Sequence, residues 1–280
     1  MASSILQRNN VHILGDGPET LIFAHGFGSD QTAWRHQVAE FASDYRIVLF
    51  DHVGAGQSDF SAYSPHRYSS IYGYAEDLLD LCAHLKLQQS ILVGHSVSGM
   101  VSLLAALVEP QCFKQLIFIS ASPRYLNDVE YYGGFEQYEL DALYEAMSAN
   151  YYAWVSGFAP IAMATQDKPE LAAEFAKTLA AIRPDIAQAV SRMIFQSDHR
   201  AELLRLKVPT AILQARDDIA VPTQVGQYMA DKIPQSQLIP INARGHLPHL
   251  SAPNVVTNAI ANVLSFQPKS SRFEVAVRSS

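Results

Sequence analysis

The feature that most constrains this chain is a series of short, almost wholly apolar runs separated by helix-like stretches. Thr20–His25 (TLIFAH), Arg46–Phe50 (RIVLF), Ser90–Gly94 (SILVG), Gln115–Ser120 (QLIFIS), Pro209–Ala215 (PTAILQA) and Gln237–Ile241 (QLIPI) are rich in Ile, Leu, Val or Phe. A strand without polar alternation must be buried on both faces, which is the habit of a parallel sheet covered from both sides. Between these runs lie Ile71–Leu85, Val97–Val108, Pro222–Lys232 and Ala252–Phe266, which read as helices. Strands and helices alternating in this way predict an α/β fold with a mostly parallel sheet. Near the start, Asn9-Asn10 separates Ile5–Gln7 from Val11–Leu14 and is expected to form a hairpin turn, because Asn tolerates positive φ.

The alternation lapses after Pro123 and resumes at Val208. Phe135–Ala149, Tyr151–Ala162, Pro169–Ile182 and Pro184–Gln196 all read as helices with no strand between them, and Pro160, Pro169 and Pro184 mark their edges. The expected organisation is therefore a core made of residues 1–123 and 208–266, with a helical cap over residues 124–207. Seven of the 13 tyrosines fall in Tyr125–Tyr152. Such an insertion either covers an apolar site that opens part of the time or is glued to the core by its aromatics. Residues 267–280 turn polar and are expected to form a flexible tail, although the alternation in Phe273–Val277 would suit an edge strand.

Composition narrows the function classes. The chain of 280 residues is 49% hydrophobic and 17% charged, which excludes disorder and leaves enough apolar residues for a sizeable core. Twenty Lys and Arg against 27 Asp and Glu give a net charge of −7, with no basic run, so nucleic acid and anionic membranes are poor partners. No apolar stretch approaches the roughly 20 residues of a spanning helix, and the first residues do not resemble a signal peptide. Two cysteines, Cys82 and Cys112, cannot build a disulfide framework or a zinc site of the usual kind, so a reduced, cytoplasmic compartment is expected. Gly54-Ala55-Gly56 lacks the lysine and the spacing of a phosphate loop, and Asp198-His199-Arg200 with Glu202 lacks a second histidine for a metal.

Chemistry concentrates at the ends of the apolar runs. Gly94-His95-Ser96-Val97-Ser98-Gly99 follows SILVG and opens the helix Val97–Val108. A sharp strand-to-helix turn flanked by small residues exposes the middle side chain, so Ser96 is the expected nucleophile. The pattern departs from G-x-S-x-G in carrying Ser98 at the last glycine. A serine hydroxyl needs a base, and His246, in the loop after the run QLIPI, is expected to supply it in preference to His249. The base needs an orienting acid. Asp217-Asp218 follow PTAILQA after Arg216, and Asp218 is the expected partner. Backbone N–H groups of Val97 and of Phe27, in His25-Gly26-Phe27-Gly28 after TLIFAH, are expected to form the oxyanion hole. Trp154 and Phe158 stand four residues apart and suit either core packing or a pocket wall.

Together these motifs resemble the α/β-hydrolase superfamily. Within it the chain is similar to the subgroup of the bacterial stress-response hydrolase RsbQ and the plant strigolactone and karrikin receptors. The residues that carry the likeness are HGFGSDQTAW (His25–Trp34), FDHVGAGQSD (Phe50–Asp59), GHSVS (Gly94–Ser98), SPRYLND (Ser122–Asp128), YYGGFE (Tyr131–Glu136), FQSDHR (Phe195–Arg200), DDIAVP (Asp217–Pro222) and GHLPHLSAP (Gly245–Pro253). The resemblance implies an eight-stranded sheet, with a four-helix cap inserted after the sixth strand. It implies the triad Ser96, Asp218 and His246, and a pocket lined by Phe27, Phe135, Trp154, Phe158, Ile194, Ser197 and Ile219. The implied activity is hydrolysis of a small apolar ester or butenolide lactone, slow in some members and without a cofactor. The alternative is a ligand-sensing receptor whose cap docks a signalling protein, with a nuclear as well as cytoplasmic location if the chain is of the plant type.

Overall fold

The computed structural model describes residues 4–265. The chain opens with a short helix, α1 (Ile5–Arg8), then β1 (His12–Leu14), β2 (Thr20–Ala24), α2 (Arg35–Phe41), β3 (Arg46–Leu49), α3 (Ile71–His84), β4 (Ser90–His95), α4 (Val97–Val108) and β5 (Phe113–Ile119). Four helices follow without an intervening strand: α5 (Gln137–Ala149), α6 (Tyr151–Met163), α7 (Pro169–Ala181) and α8 (Pro184–Phe195). The chain then returns through α9 (Arg200–Leu203), β6 (Thr210–Asp217), α10 (Thr223–Lys232), β7 (Ser236–Arg244), α11 (Pro248–Ser251) and α12 (Pro253–Ser265).

The strands form one seven-stranded sheet in the order β1-β3-β2-β4-β5-β6-β7. Only β1 runs antiparallel; it pairs Ile13 with Val48. Residues alternate strictly between the two faces. Ile22, Val48, Leu92, Phe118 and Ile212 join the core under α3, α4 and α10. Phe23, Ile47, Val93, Ile117 and Leu213 face the other way and join the core with Trp34, Phe41, Val256 and Ile260 from the α2 and α12 side. Each fully buried Leu, Ile or Phe contributes about 1.5–3 kcal/mol, which is why the central strands β2 and β4 carry no polar face.

The sequence reading needs one correction here. Ile5–Gln7 is not a strand: Ser4 caps the segment by accepting from the Gln7 N–H, and Ile5–Arg8 closes a helical turn. Asn10 does take positive φ, 45°, but it turns a helix into β1 rather than joining a hairpin. Among the described residues the sheet therefore has seven strands, and α5–α8 follow the fifth rather than the sixth. Residues 266–280, with the expected tail and the alternating Phe273–Val277, lie outside the described residues.

Two features of the topology position the site. The chain leaves β2 for β3 on one side and returns to β4 on the other, so strand order reverses between β2 and β4. Loops leaving the carboxyl ends of these neighbours diverge and open a crevice. Residues 25–28 leave β2 there, and Ser96 leaves β4.

Candidate active site

Ser96 follows β4 directly and precedes α4, and its backbone is strained. Its φ of 56° and ψ of −124° are unfavourable for any side chain with a Cβ. The turn is held by the Ser96 N–H, which donates to the Ile119 carbonyl at 2.9 Å, and by the Gly99 N–H, which donates to the Ser96 carbonyl at 2.9 Å. The flanking glycines allow the close approach. A Cβ on Gly94 would sit 2.5 Å from the Ser98 carbonyl oxygen, and one on Gly99 would sit 2.4 Å from the Ala121 Cβ. Gly99 thus packs α4 against the end of β5, and this leaves the preceding position free to be Ser98.

The two other expected partners converge on Ser96. His246 Nε2 lies 2.8 Å from Ser96 Oγ. His246 Nδ1 lies 3.0 Å from each carboxylate oxygen of Asp218. The Asp218 side chain is fully buried, and its Oδ1 also accepts from the Ala220 and Val221 N–H groups at 2.9 and 3.1 Å. With Asp218 accepting at Nδ1–H, Nε2 is left as the acceptor facing the Ser96 hydroxyl. The neighbouring Asp217 does something else: it is exposed, and its Oδ2 pairs with Arg244 Nε at 3.3 Å. His249 is also buried, but it stacks on Trp34 at 4.5 Å, away from Ser96, and burial beside His246 pushes its pKa down to about 3.

Gly26 brings the loop after β2 against Ser96. A Cβ there would fall 2.5 Å from His95 Nδ1 and 3.0 Å from Ser96 Cβ, so only glycine fits without displacing the turn. Phe27 and Val97 both line a small, mainly apolar cavity of about 30 Å³. Val97 is the first residue of α4, where a backbone N–H has no carbonyl partner within the helix. The cavity is closed from above by Ile182 and by Ile186, Val190 and Ile194 of α8, and its volume suits one water or a methyl-sized group. The α7 and α8 helices press on it closely. A Cβ on Gly28 would meet Leu179 Cδ1 at 2.9 Å, and one on Gly54 would meet Ile186 Cγ2 at 2.9 Å.

Of the seven expected pocket residues, Phe27 and Ile194 line this cavity and the other five do not. Phe135 packs edge-on against Phe195 at 5.5 Å. Trp154 stacks on Phe158 at 4.9 Å within α6, and Phe158 leans toward Phe175. The Ser197 hydroxyl donates to the Ile194 carbonyl and faces a separate groove. Ile219 is 55% exposed. Aromatic spacing identifies a packed face of a helix but not which neighbour that face meets.

Sequence reasoning missed two contributors. The Tyr125 hydroxyl lies 3.4 Å from Ser96 Oγ, and burial raises its pKa, so it faces Ser96 as a neutral phenol. His95 Nε2 sits 2.6 Å from the His246 carbonyl oxygen, while the His246 N–H donates to Ala162 at the end of α6 at 2.7 Å. His246 is therefore anchored through its own backbone to β4 and to α6. Desolvation, with His249 and His246 nearby, keeps the His95 pKa well below the usual imidazole value. The available signals were the aromatic cluster opening the insertion for Tyr125, and the position beside Ser96 for His95.

A strained serine after a parallel strand, with carboxylate and imidazole following in the chain order Ser96, Asp218, His246, is an arrangement found in α/β hydrolases. A profile described as alpha/beta hydrolase fold matches residues 19–253. The chain belongs to the alpha/beta hydrolase family. Among curated relatives of this hydrolase, Karrikin insensitive 2 receptor CA of Petunia hybrida is 45% identical over 89% of this chain and 93% of its own length. Strigolactone esterase RMS3 of Pisum sativum is 42% identical over 95% of this chain and 100% of its own. Among solved structures, a hydrolase from Oleispira antarctica superposes with a TM-score of 0.91 at 34% identity, covering 94% of this hydrolase and 97% of that chain. Among the described residues, no helix is long and apolar enough to cross a membrane.

Proposed function

We propose that this hydrolase is a cofactor-independent serine esterase or lactonase acting on a small apolar ester or butenolide. The single observation that carries the reading is the unbroken series Ser96 Oγ, His246 Nε2, His246 Nδ1 and Asp218, with links of 2.8 and 3.0 Å. In this reading His246 takes the Ser96 proton as Oγ attacks the carbonyl, and Asp218 holds the resulting imidazolium. The Phe27 and Val97 N–H groups donate to the developing oxyanion. Collapse breaks the ester bond, His246 returns the proton to the departing oxygen, and an acyl group stays on Ser96. Water activated by His246 then adds to the acyl carbonyl, and Ser96 leaves with its proton restored. Residues 124–207 act as a lid over the core of residues 1–123 and 208–266, and the lid's aliphatic underside favours a short acyl or ring carbon. The test is p-nitrophenyl acetate turnover. Wild type is expected to turn over, and Ser96→Ala to lose at least about three orders of magnitude in kcat; equal rates would contradict the mechanism.

A second reading is favoured by the tight cavity and by relatives named as receptors: a sensor whose slow hydrolysis accompanies a lid movement. Any butenolide larger than the cavity must displace α8, so ligand binding shifts the lid by its differential affinity for the two positions. A change in melting temperature of the Ser96→Ala protein on adding a synthetic butenolide would support it. The reading also expects a protein partner that docks on the lid only with ligand present. An unchanged melt with rapid wild-type turnover would contradict it.

A further inference from the structure

The serine that replaces glycine in the nucleophile motif is fully buried, yet its hydroxyl reaches out of α4 to the loop after β2. Ser98 Oγ donates to the His25 carbonyl at 2.5 Å. His52 Nε2 lies 2.7 Å from the same hydroxyl and 3.1 Å from the same carbonyl. Ser98 spends its one proton on His25, so at Nε2 His52 can only be the donor. Burial and the adjacent His25 keep His52 neutral. The reciprocal bond is present too: the His52 N–H donates to His25 Nε2 at 3.0 Å. That leaves the His25 proton on Nδ1, which lies 2.9 Å from the Gly26 carbonyl oxygen, and the Ser29 N–H reaches that oxygen at 3.3 Å.

The Gly26 carbonyl and the Phe27 N–H belong to one planar peptide group, so fixing the carbonyl fixes the direction of the N–H. The chain of bonds from Ser98 and His52 through His25 therefore ends on the Phe27 N–H. Resting on the proposed hydrolysis, we infer that Ser98, locked by His52, is a positioning residue that aims the Phe27 N–H at the developing oxyanion. A glycine at this place has no hydroxyl to make the bond. An oxyanion donor matters in the transition state and not in substrate binding, so the loss must fall on kcat.

The test compares wild type with Ser98→Ala, Ser98→Gly and His52→Phe, each corrected for active sites by titration. Wild type and Ser96→Ala are run first, and equal rates there would overturn the hydrolase reading rather than this one. Each variant is expected to lose about tenfold in kcat for p-nitrophenyl acetate with KM within about twofold. Inhibition by phenylboronic acid, whose tetrahedral adduct places an oxygen in the oxyanion hole, is expected to weaken by the same factor. Ser98→Ala and Ser98→Gly delete the same bond by different routes, and His52→Phe keeps the ring, so a failure of one to fold leaves the others decisive. Unchanged kcat and boronate inhibition in the folded variants, or a rise in KM alone, would overturn the proposal.

Discussion

At the carboxyl edge of the sheet, Ser96, Ser98, His25, His52, His95, His246 and Asp218 are buried or nearly so and joined by short hydrogen bonds. Beside this network lies the small cavity, whose lower wall holds His25, Gly26, Phe27, His52 and Val97 and whose upper wall, Ile182, Ile186, Val190 and Ile194, is aliphatic. Hydrogen bonds fix direction within tenths of an ångström, whereas aliphatic packing fixes volume and yields to a shift of a helix. On the proposed mechanism the lower region would govern the reaction, and the upper one would govern what reaches it. A substitution below should change kcat without changing preference, and one above should do the reverse.

The largest effect expected on this division is at Asp218. Asp218→Asn should reduce kcat by about 10³–10⁴-fold through loss of the imidazole's orientation, while Asp217→Asn, one residue away on an exposed pair with Arg244, should stay within twofold. Parallel rate measurements decide it, and equal losses would break the assignment. Gly26→Ala comes next. Its Cβ would displace the loop from His95 and Ser96, so kcat should fall about 10²-fold, or ~3 kcal/mol, at little cost in KM.

A third expectation concerns stability. His52, His95 and His249 are all held neutral by burial, with folded pKa values below the unfolded 6.5. Below pH 6.5 the unfolded chain gains protons that the folded chain refuses, so this stability is present above 6.5 and is lost as pH falls. For His249 the loss runs from about 6.5 down to about 3. Together the three steepen the decline by up to ~4 kcal/mol per pH unit around pH 5. Urea unfolding from pH 7 to 4 measures it, and His249→Phe should remove up to a third of that contribution; an unchanged slope would place the proton uptake elsewhere.

The smallest rate effect belongs to the upper region. Ile186→Ala should cost about 2–5 kcal/mol in stability and shift the preferred acyl chain from acetyl toward butyryl several-fold, with acetyl kcat nearly unchanged. Phe158→Ala, outside the cavity, should leave the preference alone. A p-nitrophenyl ester series reads both.

What the sequence disclosed follows the same division. Ser96, Asp218 and His246 stand two to five residues beyond the ends of apolar runs, which carry each of them to the carboxyl edge of the sheet; that placement is local and legible. The small residues around Ser96 signalled a strained turn for the same reason. Which of Phe135, Trp154 and Phe158 faces a cavity depends on how four helices dock, and their periodicity carries no information about that. Ser4 overrode the hairpin reading because one capping bond stabilises a helical turn in a segment whose apolar pattern suits either state. The Ser98–His52 link joins residues 46 apart, and no single stretch of sequence announces it.

The central claim is that Ser96 is activated by His246. A fluorophosphonate probe followed by peptide mass spectrometry tests it most directly. The account predicts one adduct, on Ser96, forming rapidly in wild type and at least about 10²-fold more slowly in His246→Ala. Labelling of Ser98 or Ser102 instead, or labelling of Ser96 at the same rate without His246, would contradict it.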